Sequence, residues 1–210
     1  TETLNRISEM KFRGETVKVN YGKKKKDVEE LDPTKYLENR KNWIIAQKEA
    51  GKNPYPHKFE VSIGLREFVE KYGPITEKGK FLEEKVTVSG RVLSIRSSGS
   101  SLIFYDIISN DQRLQVYCNA RDHKGTKTFE ETHEQVRRGD IIGIVGAPGR
   151  TTGKKEGQGE LSISAEDLVH LSYCLHMLPK PEFGLKDTET RYRQRYLDLM
   201  INPENKKILQ

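Results

Sequence analysis

Four side chains in the middle of the chain have the chemistry needed to read a nucleotide base: Arg96, Phe104, Gln115 and Glu160. An exposed aromatic such as Phe104 can stack on an unpaired base, which contributes about 1–3 kcal/mol. Gln115 can both donate and accept hydrogen bonds on a base edge, whereas the ionised carboxylate of Glu160 only accepts. Beside a phosphate chain a carboxylate is repelled, unless it accepts a hydrogen bond from a base N–H. Uracil suits this combination, because its pairing edge sets carbonyl acceptors on either side of an N–H donor. The sequence equally allows a plainer arrangement in which Phe104 fills an apolar interior and the polar residues are simply solvated.

Other chemistries find little support. The run GRTTGKK at 149–155 is too short between its glycines for a phosphate loop, has Lys155 where Ser or Thr is needed, and lies between strands. It reads as a flexible hairpin loop. His57, His123, His133, His170 and His176 show no ligand spacing with one another or with the cysteines, so no metal site is expected. No nucleophile elbow occurs, and no catalytic residue is assigned. Cys118 and Cys174 read as reduced thiols.

The elements that must hold the four residues follow from periodicity. Val86–Arg96 reads as a long strand with a bulge or sharp coil at Gly90. SSGSS forms a turn, Leu102–Ile108 a second strand, and Arg113–Cys118 a third that sends Leu114, Val116 and Cys118 to one face and Arg113, Gln115 and Tyr117 to the other. A helix is expected over 126–138, followed by strands at 141–149 and 160–164. Three strands, a helix and two strands is the order of an OB-fold, a five-stranded Greek-key barrel that binds oligonucleotides or oligosaccharides on its second and third strands. The expected class is therefore mainly β with flanking helices.

Ahead of the barrel, Asp32 and Pro33 start a helix that Gly51 ends. On it Leu37, Arg40, Trp43 and Ile44 share a face. Leu65, Phe68, Val69 and Tyr72 mark a second helix closed by Gly73 and Pro74. Four regions result: a basic flexible arm at 1–31, a helical appendage at 32–80, the barrel at 81–172, and, at 173–210, a linker with the expected start of a further domain. Near the end, RYRQRYLDL at 191–199 spaces Tyr192, Tyr196 and Leu199 as one helical stripe. That stripe is expected either to lie solvated on its own domain or to dock on a further domain.

The net charge of +6 is unevenly spread. Residues 1–26 hold eight Lys/Arg against three Asp/Glu, while residues 81–172 hold twelve against thirteen. The barrel must then recognise nucleic acid through a few well-placed side chains rather than through bulk charge. Lys23, Lys24, Lys25 and Lys26 could track phosphates. The N-terminus lacks the apolar core of a signal peptide, and no apolar run suits a membrane span, so a cytoplasmic protein is expected.

Beyond these readings, the chain resembles the N-terminal, anticodon-binding part of eukaryotic cytosolic lysyl-tRNA synthetases, which are class II enzymes. The resemblance runs from about Asp32 to Asn202. It rests on PYPHKF (54–59), GRVLSIRSSGSSLIFYD (90–106), LQV (114–116), RRGDIIG (137–143), GELSI (159–163), CLHMLP (174–179) and GLKDTETRYRQRYLDL (184–199). It implies that the barrel reads a uridine-rich anticodon. Phe104 would stack, Gln115 and Glu160 would read base edges, Arg96 would contact a base or phosphate, and Arg91 would be a lesser contact. Lys23–Lys26 would add nonspecific tRNA affinity, although this arm departs from the family's long lysine helix in being interrupted by Gly14 and Gly22. The whole enzyme would use ATP and Mg2+ to activate lysine and charge tRNA(Lys), would form a homodimer, and could join a multi-synthetase complex. Class II motifs two and three do not occur, so the catalytic domain is expected beyond residue 210 and no catalysis is expected from this chain alone. An aspartyl- or asparaginyl-type barrel shares part of the logic. A stand-alone single-strand-binding OB protein and a protein-scaffolding module are the remaining alternatives.

Overall fold

The computed structural model describes residues 7–12, 15–20, 33–152, 159–179, 185 and 187–209. Lys23–Lys26 and Asp32 lie outside the described residues. Within the basic arm, β1 (Ile7–Phe12) and β2 (Glu15–Asn20) pair antiparallel, with Phe12 opposite Glu15. The arm's scarcity of large apolar residues hid this pairing, although Val17 and Val19 do alternate with polar neighbours.

Helix α1 spans Pro33–Glu49, and Gly51 beyond it takes the left-handed φ of +71° that a helix stop uses. Its buried residues are Tyr36, Arg40 and Ile44. Arg40 anchors the helix: Nη1 donates to Gln135 O at 2.8 Å, Nε to Cys174 O at 3.3 Å, and Nη2 to Asp140 Oδ1. Asp140 is fully buried and also accepts from the backbone N–H groups of Arg137 at 2.8 Å and Cys174 at 2.7 Å. A buried carboxylate with this many donors is fixed in place and holds its cationic partner.

Helix α2 (Leu65–Tyr72) buries Leu65, Phe68 and Tyr72. The barrel is built from β3 (Val86–Ser97), β4 (Leu102–Ser109), β5 (Gln112–Asn119), β6 (Ile141–Arg150) and β7 (Leu161–Ser172). It closes in the order β3-β4-β5-β7-β6; all pairings are antiparallel except β5 with β7. This is the OB-fold expected from the element order.

Alternation carries the core. Val88 and Val92, Ile103, Tyr105 and Ile107, Leu114, Val116 and Cys118, Ile142 and Ile144, and Ile163 all point inward. Leu65, Phe68 and Tyr72 from α2, with Phe129 from α3 (Phe129–Glu134), join the same cluster. The β4–β5 turn is two residues long, Asn110 and Asp111, both at positive φ. That geometry matches the twist of the strands it joins, and Asn and Asp tolerate it best after glycine.

Three boundaries differ from expectation. The register shift in β3 falls between Val92 and Ser94 rather than at Gly90. Gly90 is instead a point of close approach, where an added Cβ would come within 3.1 Å of Ile107 Cβ. Helix α3 is shorter than 126–138, because Thr128 caps it in a reciprocal box with Glu131. Strand β7 runs eight residues past 164, since its later half pairs with β6 while Glu166 and His170 interrupt the apolar pattern that would have signalled it.

At the end, α4 (Thr188–Arg193) and α5 (Arg195–Ile201) break at Gln194, and α6 (Pro203–Leu209) follows. The stripe over 191–199 is therefore not one helix. Tyr192 and Tyr196 are exposed, and the buried member is Asp198. Its carboxylate accepts from Arg191 at 3.1 Å, Arg195 at 2.9 Å, Asn202 at 2.7 Å and Asn205 at 3.1 Å. These bonds, the one from Asn202 foremost, hold Asp198 below the usual carboxylate range.

Candidate nucleic-acid interface

The outer faces of β3, β4 and β5 line up in two rows across the sheet. Arg96, Phe104 and Tyr117 are successive cross-strand neighbours; Ser94, Asp106, Gln115 and, across the parallel pairing, Ser162 form the next row. Phe104 lies outside the barrel, between the inward residues Ile103 and Tyr105. It does not fill the core.

Phe104 meets Tyr117 edge-on at a centroid distance of 5.6 Å, and Tyr117 in turn stacks on Phe81 at 5.6 Å and 24°. The guanidinium of Arg96 sits 5.8 Å from the Phe104 centroid, and Arg96 Nη2 donates to Asp106 Oδ1 at 3.3 Å. Asp106 also accepts from Ser94 Oγ. The Arg96–Asp106 pair is open to solvent on the arginine side, so it contributes about 0–1 kcal/mol and yields readily to an incoming acceptor.

Beside this aromatic row lies a groove of about 580 Å³, lined by Arg96, Asp106, Arg113, Gln115 and Glu160 among others. Gln115 is buried at its floor, where Nε2 donates to Glu160 Oε2 at 2.5 Å and Oε1 accepts from Ser162 Oγ at 2.8 Å. Glu160 itself is exposed. Its backbone is fixed from below. Thr151 N donates to Glu160 O at 3.1 Å, and Arg150 donates to the carbonyls of Gly159, Thr76 and Gly73 at 3.2, 3.1 and 2.8 Å. Gly159 adopts φ +71°, and a Cβ there would lie 1.9 Å from Thr151 O. Only glycine lets the chain turn tightly enough to set Glu160 over Gln115.

Such a groove offers two cations, two carboxylates, two carboxamides and a flanking aromatic ladder. With its charges balanced, it is suited to stacking and hydrogen-bond pattern rather than to attraction of phosphate. Residues 86–171 match the family model described as an OB-fold nucleic acid binding domain. Over 183 residues, 87% of this chain and 30% of the relative, the sequence is 45% identical to a lysine-tRNA ligase of Cladosporium cladosporioides.

The chain is a homologue of lysine-tRNA ligases.

Further relatives of this ligase homologue include a probable cytoplasmic lysine-tRNA ligase of Encephalitozoon cuniculi, 34% identical over 86% of the chain and 33% of the relative. Another is a lysine-tRNA ligase of a Thermotoga species, 38% identical over 80% of the chain and 32% of the relative. The chain thus spans about a third of the length of these curated relatives.

Of the residues expected at the site, the fold brings Arg96, Phe104, Gln115 and Glu160 together. Arg91 is elsewhere: its Nη1 donates to Gly139 O at 2.9 Å, and it does not line the groove. Lys23–Lys26 lie outside the described residues. Sequence reasoning passed over Tyr117, Phe81, Asp106 and Arg113. Tyr117 and Arg113 were already assigned to the face of Gln115 by alternation, which was signal enough to include them. Phe81 precedes the first strand and offered none.

Proposed function

We propose that this chain is the anticodon-reading part of a lysine-tRNA ligase and that its groove reads a uridine of the tRNA(Lys) anticodon. The observation that carries this reading is the contact between Gln115 and Glu160 beside Phe104, on the OB-fold face that suits a single strand. A splayed anticodon base stacks on Phe104, with Tyr117 and Phe81 backing the ring. One Nε2 hydrogen of Gln115 is committed to Glu160, and the other is free to donate to a uracil carbonyl. The second carboxylate oxygen of Glu160 accepts the uracil N3–H. Arg96 exchanges Asp106 for a base or phosphate oxygen. Lys23–Lys26 add sequence-independent affinity for the backbone.

Activation of lysine with ATP and Mg2+, and its transfer to tRNA, are proposed for the whole ligase. Among the described residues no group of three or more His, Cys, Asp or Glu is placed to hold a metal ion. A homodimer, assembly with other synthetases and a cytoplasmic location are likewise proposed for the whole protein; the last is in keeping with the Encephalitozoon relative.

Titrating the chain with a UUU anticodon stem-loop and with a GUC stem-loop tests the reading. Clear preference for UUU is expected. Equal affinity would leave only a general single-strand-binding OB protein.

A further inference from the structure

The carboxamide of Gln115 is gripped at both ends, by Glu160 at its nitrogen and by Ser162 at its oxygen. Ser162 is fully buried and is the direct partner of Gln115 where β5 and β7 pair. A glutamine amide can be turned end for end with little change in shape, so its orientation depends on its partners. Turned over, Gln115 would set its oxygen against the Glu160 carboxylate, acceptor against acceptor. The orientation with Nε2 toward Glu160 therefore needs a donor at the other end. Ser162 is placed to be that donor, but its single proton has a second possible acceptor, the Glu160 carbonyl, 2.9 Å away. With the proton on that carbonyl, Gln115 Oε1 becomes a buried acceptor without a donor.

We propose that Ser162, which touches no base itself, is a positioning residue that sets base specificity. By donating to Gln115 Oε1, it locks the carboxamide so that a free Gln115 N–H and a free Glu160 oxygen face the groove side by side. This inference rests on the uridine reading. Donor beside acceptor pairs with the carbonyl and N3–H of uracil. Cytosine meets the same array with a lone pair at N3 against the carboxylate and an amino group against the Gln115 N–H, two mismatches at once. A loose or turned carboxamide erases that contrast.

The test uses the 210-residue chain and anticodon stem-loops that differ by one uridine-to-cytidine change at each anticodon position in turn. For the position that the groove reads, Ser162→Ala should lower the uridine-to-cytidine affinity ratio about five- to tenfold. In a Gln115→Ala background it should change the ratio no further, since Ser162 acts through Gln115. Ser162→Thr keeps the hydroxyl and should keep the ratio. A purely structural serine would lower both affinities equally, so an unchanged ratio in Ser162→Ala overturns the proposal, as does a further fall in the double variant. Should melting show that Ser162→Ala is unfolded, Ser162→Cys, of similar shape and a poor donor, takes its place, and a wild-type ratio there overturns the proposal equally. A wild-type chain without uridine preference at any position would instead refute the uridine reading itself.

Discussion

Replacing Glu160 by Gln keeps the size of the side chain and changes only what it offers. Gln115 Nε2 already points at Oε2 from 2.5 Å, so the new side chain keeps its oxygen there and turns its amide nitrogen to the groove. Donor then stands beside donor, which mismatches uracil N3–H and removes the mismatch at cytosine N3. Hydrogen bonds to charged groups contribute about 1.5–3 kcal/mol, and the exposure of Glu160 argues for the lower end. About 1.5 kcal/mol corresponds to roughly a tenfold loss for uridine. Removing a carboxylate also raises affinity for any RNA, so anisotropy titrations of uridine and cytidine stem-loops must share one ionic strength and be compared as a ratio. The ratio should fall at least about tenfold and can invert. Parallel changes in both affinities would show that Glu160 does not face the base, and the reasoning would fail.

Phe104→Ala should weaken binding of uridine and cytidine stem-loops alike by about 1–3 kcal/mol, with little change in the urea midpoint because the ring is outside the core; a collapse in stability would contradict that placement. Arg40→Ala leaves the Asp140 carboxylate buried without its cation, and should cost about 3–5 kcal/mol by urea denaturation, with the amides of α1 losing exchange protection first. A cost under about 1 kcal/mol would mean that the pair is not buried in solution. Acid should destabilise the fold in two stages. Burial holds His170 below its ordinary value despite the neighbouring Asp140, so the unfolded chain takes up the proton first and stability declines as pH drops below about 6.5. Glu166, held down by Lys124 and Lys85, adds a further loss below about 4.3. Urea midpoints across pH 4–8 should lose the upper stage in His170→Asn; an unchanged slope would assign it to another group.

The barrel was legible because period-two alternation survives wherever one face of a strand is buried. Leu114, Val116 and Cys118 against Arg113, Gln115 and Tyr117 separate core from surface without reference to the rest of the fold. That pattern also placed Gln115, while Phe104 and Glu160 stood out by their chemistry at the expected second and fifth strands. What escaped depends on contacts distant in sequence. Arg40 and Asp140 are a hundred residues apart, and nothing local marks either as buried. Phe81 joins the aromatic row only through the path of the loop before β3. The break at Gln194 reflects a competition that spacing cannot weigh: the Tyr192 and Tyr196 stripe against four polar side chains gathering on Asp198. The resemblance made Arg91 a lesser base contact, yet the backbone carbonyl of Gly139, in the segment before β6, claims it.

The parallel pairing of β5 with β7 extends over only four residue pairs, starting at Gln115 and Ser162. It is the short seam that shuts the barrel, and Gln115 stands on its first rung while Glu160 precedes that rung's other member, Ser162, on the facing segment. An RNA base held by both residues would stitch that seam and so link ligand binding to barrel closure thermodynamically. The amides of β5 and β7 nearest this rung should open most easily in the free protein and gain the most protection when a cognate loop is bound. A base of the wrong pattern, held by stacking alone, would leave the seam as free to breathe as before.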